Sequence, residues 1–454
     1  MSLGVIPPAI VRALESESGC VCLVVGRPGT GKSLLVMELF RKFPDSVIVV
    51  PAQDGRLIEV DSGRSESSQT RGRIVAFGTP IQRQTHGSSA IDSHSLVDTL
   101  CVSKHDAILV DSWDVMSIAI DPEERIGFLS ELIRRAREQR KRLVLTVSSV
   151  SDAEMRLLSH WADLVVRLRR SRTEGRVYRS LIIEKSRDMP IEQDTFLFTL
   201  HGGRFTHIPW YEHVYPPITI ERTPIPDTSE SRVSTGNRSL DRLIGGGIKR
   251  SGLNIFELDS LAAPYVETVY IPLISNHLQL GRPIVVVLPE GWSSRQFVEG
   301  LSRFVDRDLV RDRLVLFGRQ YAGKSENYRI LEPDPAKTLY EMRYEAHQLE
   351  KVLGEPAMFV MFLDAMENMY GASATNAVLA ELTSLVQNSR QIAVAVLSKH
   401  QDLRVNSILH HLRLQVREIC GVVSISGVSP RTGFLALRPL IAEGFLDYEL
   451  IPLV

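Results

Sequence analysis

Two stretches of this chain combine glycines, a lysine, hydroxyls and carboxylates in patterns that suit phosphate and metal binding. The first, Gly26-Arg27-Pro28-Gly29-Thr30-Gly31-Lys32-Ser33, fits G-x-x-x-x-G-K-[ST]. In that pattern the glycines let backbone N–H groups curl round a polyphosphate, the lysine reaches the β and γ oxygens, and the terminal hydroxyl ligates Mg2+. The spacing predicts a phosphate cradle built from Gly26 to Ser33 and closed by Leu34, and hence binding of a purine nucleoside triphosphate, ATP, with Mg2+. The second stretch is Ala107-Ile108-Leu109-Val110-Asp111-Ser112-Trp113-Asp114. An aspartate ending an apolar strand can hold Mg2+ across from Ser33, although strand-end aspartates also cap helices. Hydrolysis further needs a base or a water-positioning acid, and Asp54 and Asp114 are the two candidates.

Such residues work only if the chain holds them at one edge of a sheet. The run Cys20-Val21-Cys22-Leu23-Val24-Val25 reads as a buried parallel strand feeding the glycine-rich loop, and Leu34, Leu35, Met37, Leu39 and Phe40 give Ser33–Lys42 the apolar face of a helix. The same succession of elements recurs. Val47-Ile48-Val49-Val50 is echoed by Ile284-Val285-Val286-Val287, Ala107–Asp111 by Phe359–Asp364, and Leu143–Ser148 by Ile392–Ser398. Short β-branched runs alternating with helical segments such as Glu124–Arg140 and Ala336–Leu353 indicate parallel strands covered on both faces. The predicted architecture is α/β, with two tandem domains arising by internal duplication. In such sheets ligands sit outside the carboxyl ends of the strands, where Lys32, Asp54, Asp111 and Ser148 should converge. The proline-rich, polar stretch between them reads as a linker, giving domains over 1–213 and 234–454 with a linker at 214–233.

Composition bounds the alternatives. The chain has 454 residues, 44% of them apolar, and a formal net charge of -1. It is long enough for large cores, lacks a global field for nucleic acid or an anionic membrane, and contains no apolar run of about 20 residues. A cytoplasmic protein with no membrane partner is expected. Cys20, Cys22, Cys101 and Cys420 have no paired metal-binding spacing and read as core thiols.

Ser234-Thr235-Gly236-Asn237-Arg238-Ser239-Leu240-Asp241-Arg242-Leu243-Ile244-Gly245-Gly246-Gly247 resembles the S-T-G-x-x-x-L-D-x-L-x-G-G-G motif of KaiC-like ATPases of the RecA superfamily. By local chemistry alone it is a helix capped by Asn237 or Ser239 and ended by glycines. With the N-terminal P-loop and the duplicated layout, the whole chain resembles archaeal two-domain KaiC-like proteins, including those related to the gas-vesicle regulator GvpD. The resemblance implies tandem RecA-like domains, self-association into hexameric rings, and a regulatory protein partner. It also implies that Lys185 and Arg187, in Ile183-Glu184-Lys185-Ser186-Arg187, act as trans-acting fingers on a neighbour's nucleotide.

The departures from that pattern matter equally. Gln53-Asp54 stands where KaiC proteins have paired glutamates, which implies slow hydrolysis. The second half has Phe256-Glu257-Leu258-Asp259-Ser260 in place of a P-loop, and acids there repel a triphosphate. Asp364 and Glu367 persist without a lysine partner, Arg438 alone remains of the second Lys-x-Arg pair, and His411-Leu412 occupies the place of the hydroxyl acceptors of autokinases. The expected function is a nucleotide-dependent regulatory switch whose first domain alone is an ATPase. The alternatives are a RecA- or RadA-like DNA-associated ATPase and a non-hydrolysing sensor or scaffold. Arg134–Arg142 and Arg167–Arg172 are strongly cationic, but no aromatic–basic interleaving stands out along the chain, so nucleic acid is the disfavoured partner.

Overall fold

The computed structural model describes residues 5–52, 58–61, 73–78, 105–210, 223–260, 263–319, 327–399, 401, 403, 408–442 and 445–454. Asp54, Cys101, most of the Ser/Gly/Arg-rich stretch 61–73 and linker positions 214–222 lie outside them. The chain divides into two compact units, Met1–Pro209 with Leu453–Val454, and Trp210–Pro452.

In the first unit the strands are β1 (Cys20–Gly26), β2 (Ser46–Ala52), β3 (Ile58–Asp61), β4 (Arg73–Gly78), β5 (Ala107–Val110), β6 (Arg142–Val147), β7 (Leu164–Thr173), β8 (Arg176–Ser186), β9 (Thr195–Thr199) and β10 (Thr206–Ile208). They form one sheet in the order β10-β9-β8-β7-β1-β6-β5-β2-β4-β3. From β7 to β4 every pairing is parallel, and the flanking strands run antiparallel. All seven residues of β1 are buried, as a strand covered on both faces requires. On one face Leu35, Val36, Leu39 and Phe40 of the helix Lys32–Lys42 pack with Leu168, Leu181 and Phe198. On the other, Phe128, Leu129, Leu132 and Ile133 of the helix Arg125–Glu138 pack with Trp113, Val110 and Leu145.

The second unit repeats this plan. A two-stranded ribbon, β11 (Arg232–Val233) and β12 (Ile248–Lys249), precedes β13 (Gly252–Leu258), β14 (Ile284–Val287), β15 (Leu314–Gly318), β16 (Tyr328–Ile330), β17 (Met358–Phe362), β18 (Ile392–Ser398), β19 (Leu412–Ile419), β20 (Val422–Ser429), β21 (Leu435–Ala442) and β22 (Phe445–Pro452). The large sheet runs β22-β21-β20-β19-β13-β18-β17-β14-β15-β16. Strand for strand this is the order of the first sheet, so β13 stands for β1, β18 for β6 and β17 for β5. The one change of direction is at the far edge, where β16 pairs parallel and β3 antiparallel. Helix Ala263–Gln279 covers one face, and helices Pro335–Leu353 and Leu363–Gln387 cover the other. Among the described residues no helix is long and apolar enough to cross a membrane.

Residues 223–233 correct the linker reading. Ile225 is buried, and its backbone N–H and C=O both bond the Asn276 amide, at 2.7 and 2.9 Å. Asp227 pairs with Arg250 and Arg282 at 3.0 and 2.8 Å. A proline-rich composition excludes a helix there but leaves backbone groups free to be satisfied by side chains, and this segment is packed as part of the second unit.

Candidate functional site

The glycine-rich loop leaves the sheet at Gly26 and enters its helix at Lys32. Gly29 and Gly31 take positive φ values of 76° and 106°, which residues with a Cβ adopt only with strain. A Cβ on Gly26 would stand 2.6 Å from Thr30 Oγ1 and 3.0 Å from Leu168 O, and one on Gly31 would meet Leu200 at 2.9 Å. Thr30 stiffens the turn by donating from both its N–H and its hydroxyl to Arg27 O. Arg27, Pro28, Gly29 and Ser33 are exposed, whereas Leu34 packs against the core.

Lys32 is buried and donates from Nζ to Gly26 O at 2.7 Å and Arg27 O at 3.3 Å. Burial holds its ammonium below the ordinary lysine pKa, and the nearby carboxylates of Asp114 and Asp111 pull the other way. The three charged groups stand at one edge of the sheet. Strand order explains how: β6 lies between β1 and β5, and all three end at the same edge.

Asp111 is held by a residue on that intervening strand. Thr146, fully buried, donates from Oγ1 to Asp111 Oδ1 at 3.0 Å and accepts the Ser112 N–H at 2.7 Å. Ser112 has φ 64°, a strained value for a residue with a Cβ, and it turns the chain into the single helical turn Trp113–Met116. Asp114 on that turn accepts the Ser148 N–H at 3.1 Å, while buried Trp113 donates from Nε1 to Glu154 at 3.0 Å and stacks on Phe128. Lys32, Asp111 and Ser148, with Asp114, stand at the carboxyl edge of β1, β5 and β6; Asp54 lies outside the described residues.

Two residues carry more of this site than their sequence context suggested. Thr146 was visible only as a hydroxyl near a strand end. Arg179 is the other: its Nη2 lies 3.4 Å from Gly29 O, and burial together with Arg170 lowers its pKa. Alternation with Leu181 and Ile183, which face the P-loop helix, is the signal that marks it.

Lys185 and Arg187 sit elsewhere. Leu181 lies opposite Leu168, itself opposite Gly26, and Lys185 is four residues further along β8. At roughly 3.3 Å per residue this is about 13 Å towards the opposite edge of the sheet. There Lys185 Nζ donates to Ser159, His160 and Ala162 carbonyls at 2.8, 3.0 and 2.6 Å, closing the end of the helix Asp152–Trp161. Arg187 pairs with Asp163 at 3.0 Å. Within one chain the two side chains cap a helix and do not reach their own P-loop.

In the second unit the equivalent edge is chemically different. Glu257, nearly buried, pairs with Arg413 at 2.9 Å, and Asp259 lies 3.7 Å from Lys399 Nζ. Asp364 accepts the Glu290 N–H at 2.7 Å, burial raises its pKa, and Glu367 accepts from Gln401 at 2.7 Å. Arg438 pairs with Glu449 on the adjacent strand. Carboxylates stand where a triphosphate would need N–H groups and a lysine, so these residues do not suit one. The S-T-G stretch is structural: Asn237 caps the helix Arg238–Leu243, and buried Asp241 accepts from Ser234 Oγ, Thr235 Oγ1 and Thr235 N–H at 2.6, 2.7 and 2.8 Å.

Three of the six cations in the basic stretch 134–142 are paired with carboxylates. Arg134 and Arg135 pair with Glu131, and Arg137 pairs with Asp163.

No protein-family model matches the chain. It is similar to two proteins of Halobacterium salinarum (strain ATCC 700922 / JCM 11081 / NRC-1). Protein GvpD2 is 26% identical over 357 residues, covering 72% of this chain and 70% of that protein. Protein GvpD1 is 25% identical over 362 residues, covering 74% of this chain and 66% of that protein.

Proposed function

We propose that this chain, similar to these GvpD proteins, is a regulatory RecA-like switch of KaiC-like type, whose first unit binds Mg·ATP and hydrolyses it slowly. The observation that carries the reading is the convergence of Lys32, Asp111, Asp114 and Thr146 beside a loop whose glycines take the backbone angles a phosphate cradle needs. Gly26–Leu34 would hold the phosphates, with Lys32 neutralising them. Ser33 and Asp111 would hold Mg2+, which supplies charge neutralisation when bound. Thr146 fixes the Asp111 carboxylate, and Asp114, bonded to Ser148 N–H, can orient a water or accept its proton. Buried Lys32 loses little orientational freedom on binding. The second unit, with acids at the matching edge, serves as a partner or assembly surface.

Hydrolysis in this reading is slow because Gln53-Asp54 stands where KaiC proteins have paired glutamates, which leaves Asp54 and Asp114 as the candidate acids. Lys185 and Arg187 would act on a neighbouring subunit only by leaving the helix end they now cap, so turnover should depend on assembly. Steady-state ATP hydrolysis measured against protein concentration, with fluorescent ATP-analogue binding in the same samples, tests this. Specific activity should rise with concentration and both signals should vanish in Lys32→Ala. Binding that survives Lys32→Ala overturns the site; Lys32-dependent binding without turnover at any concentration makes the protein a nucleotide sensor instead.

A further inference from the structure

The helix Pro335–Leu353 buries Thr338, Leu339, Met342 and Ala346 against the second unit. At 3.6 residues per turn, Lys337, Tyr340, Tyr344, His347 and Lys351 fall within about 80° on the opposite side, with Arg343 on the flank. All six are exposed, Tyr340 by 65% and Tyr344 by 50%. Among the described residues none of these side chains has a hydrogen-bond or ion-pair partner. The acids of the same helix are placed otherwise. Glu345 is bonded to Arg329 at 2.6 Å, and Glu350 accepts Ala357 N–H at 2.7 Å and Gln391 Nε2 at 2.8 Å. Only Glu341, half-buried, is left near the stripe.

We propose that this stripe is a docking surface for single-stranded nucleic acid. It is a stripe about 21 Å long at 1.5 Å per residue, with Lys337 and Lys351 at its ends, two aromatic side chains one turn apart between them and Arg343 on its flank. Unpaired cations on a near-acid-free line complement a phosphate backbone, and open tyrosine rings gain from a ligand whose bases expose their own faces, which a duplex does not. The interleaving is invisible in the linear sequence because its members are three and four positions apart. It is independent of the nucleotide site in the first unit.

The test is fluorescence anisotropy of labelled dT20 with the full chain at 50 and 200 mM salt. Wild type should bind, with affinity falling roughly ten- to twentyfold over that range if three cations contact phosphate. K337E/R343E/K351E should weaken binding at least tenfold at low salt. Y340A/Y344A should weaken it about tenfold or more while leaving the salt dependence unchanged. All positions are exposed, so melting temperatures should match wild type and certify folding. No binding of dT20 at 50 mM salt overturns the proposal, as does full binding by the charge-reversed variant. Displacement of dT20 by poly-glutamate as effective as by unlabelled dT20 would make the stripe an acidic-protein site, and tighter binding of a 20-base-pair duplex would exclude single-strand stacking.

Discussion

At the scale of single residues, Thr146 has the largest influence for its size. Its hydroxyl joins Asp111 to the strained Ser112 backbone, so Thr146→Val leaves a carboxylate oxygen and a partly buried N–H without this partner. A stability loss of about 1–3 kcal/mol is expected by denaturant titration, together with weaker Mg2+-dependent nucleotide binding while Mg2+-independent binding through Lys32 persists. His207 gives a pH prediction. It lies in β10 against the edge of Phe196, is 6% exposed, and burial pushes its pKa down to about 4. The folded state keeps it neutral, while the unfolded chain takes up a proton below about pH 6.5. Stability is therefore lost as pH falls from about 6.5 to about 4, by roughly 3 kcal/mol in total. Urea midpoints at pH 7 and pH 5 should converge in His207→Phe by comparison with wild type; an unchanged gap would assign acid sensitivity to other groups. His277, fully buried, is shifted in the same direction by burial and by Arg282 and Arg250, so a residual acid effect is expected in the second unit.

At the scale of elements, two helices are fixed by opposite devices. Helix Lys32–Lys42 is held through buried Glu38, which accepts a two-pronged contact from Arg204 at 2.9 and 3.0 Å. Helix Ala263–Gln279 is held by close approach. Gly236, with φ 76°, passes so near that a Cβ would stand 2.0 Å from Pro272 O. That is why the S-T-G stretch needs glycine there: its hydroxyls fold onto Asp241, and its glycine admits the helix. Gly236→Ala should cost several kcal/mol through overpacking and backbone strain together, measured as a lower unfolding midpoint. A shift below about 1 kcal/mol would mean that the loop and helix move apart freely. The helix Pro335–Leu353, by contrast, has one face tied down and its cationic face left to solvent.

At the scale of the whole molecule, one fold is used twice with different edges. If the first unit alone takes Mg·ATP, calorimetry should show a nucleotide-dependent rise in one unfolding transition and none in the other, equivalent to about 2.7 kcal/mol at a hundredfold excess over Kd, and Lys32→Ala should abolish it. A rise in both transitions would contradict the carboxylate-lined second edge. The glycine-rich loop, the aspartate at the end of β5 and the duplicated α/β plan can all be read along the chain. Each is encoded over a few contiguous residues, through backbone angles that glycine permits or apolar runs that only a covered sheet accepts. Tertiary structure alone decided that Thr146 grips Asp111, that Arg179 reaches the loop, that residues 223–233 pack within the second unit rather than link, and that Lys185 and Arg187 cap a helix at the far edge. Those facts depend on which strands neighbour each other and in what register, so residues far apart in the chain meet at distances that local pattern does not encode.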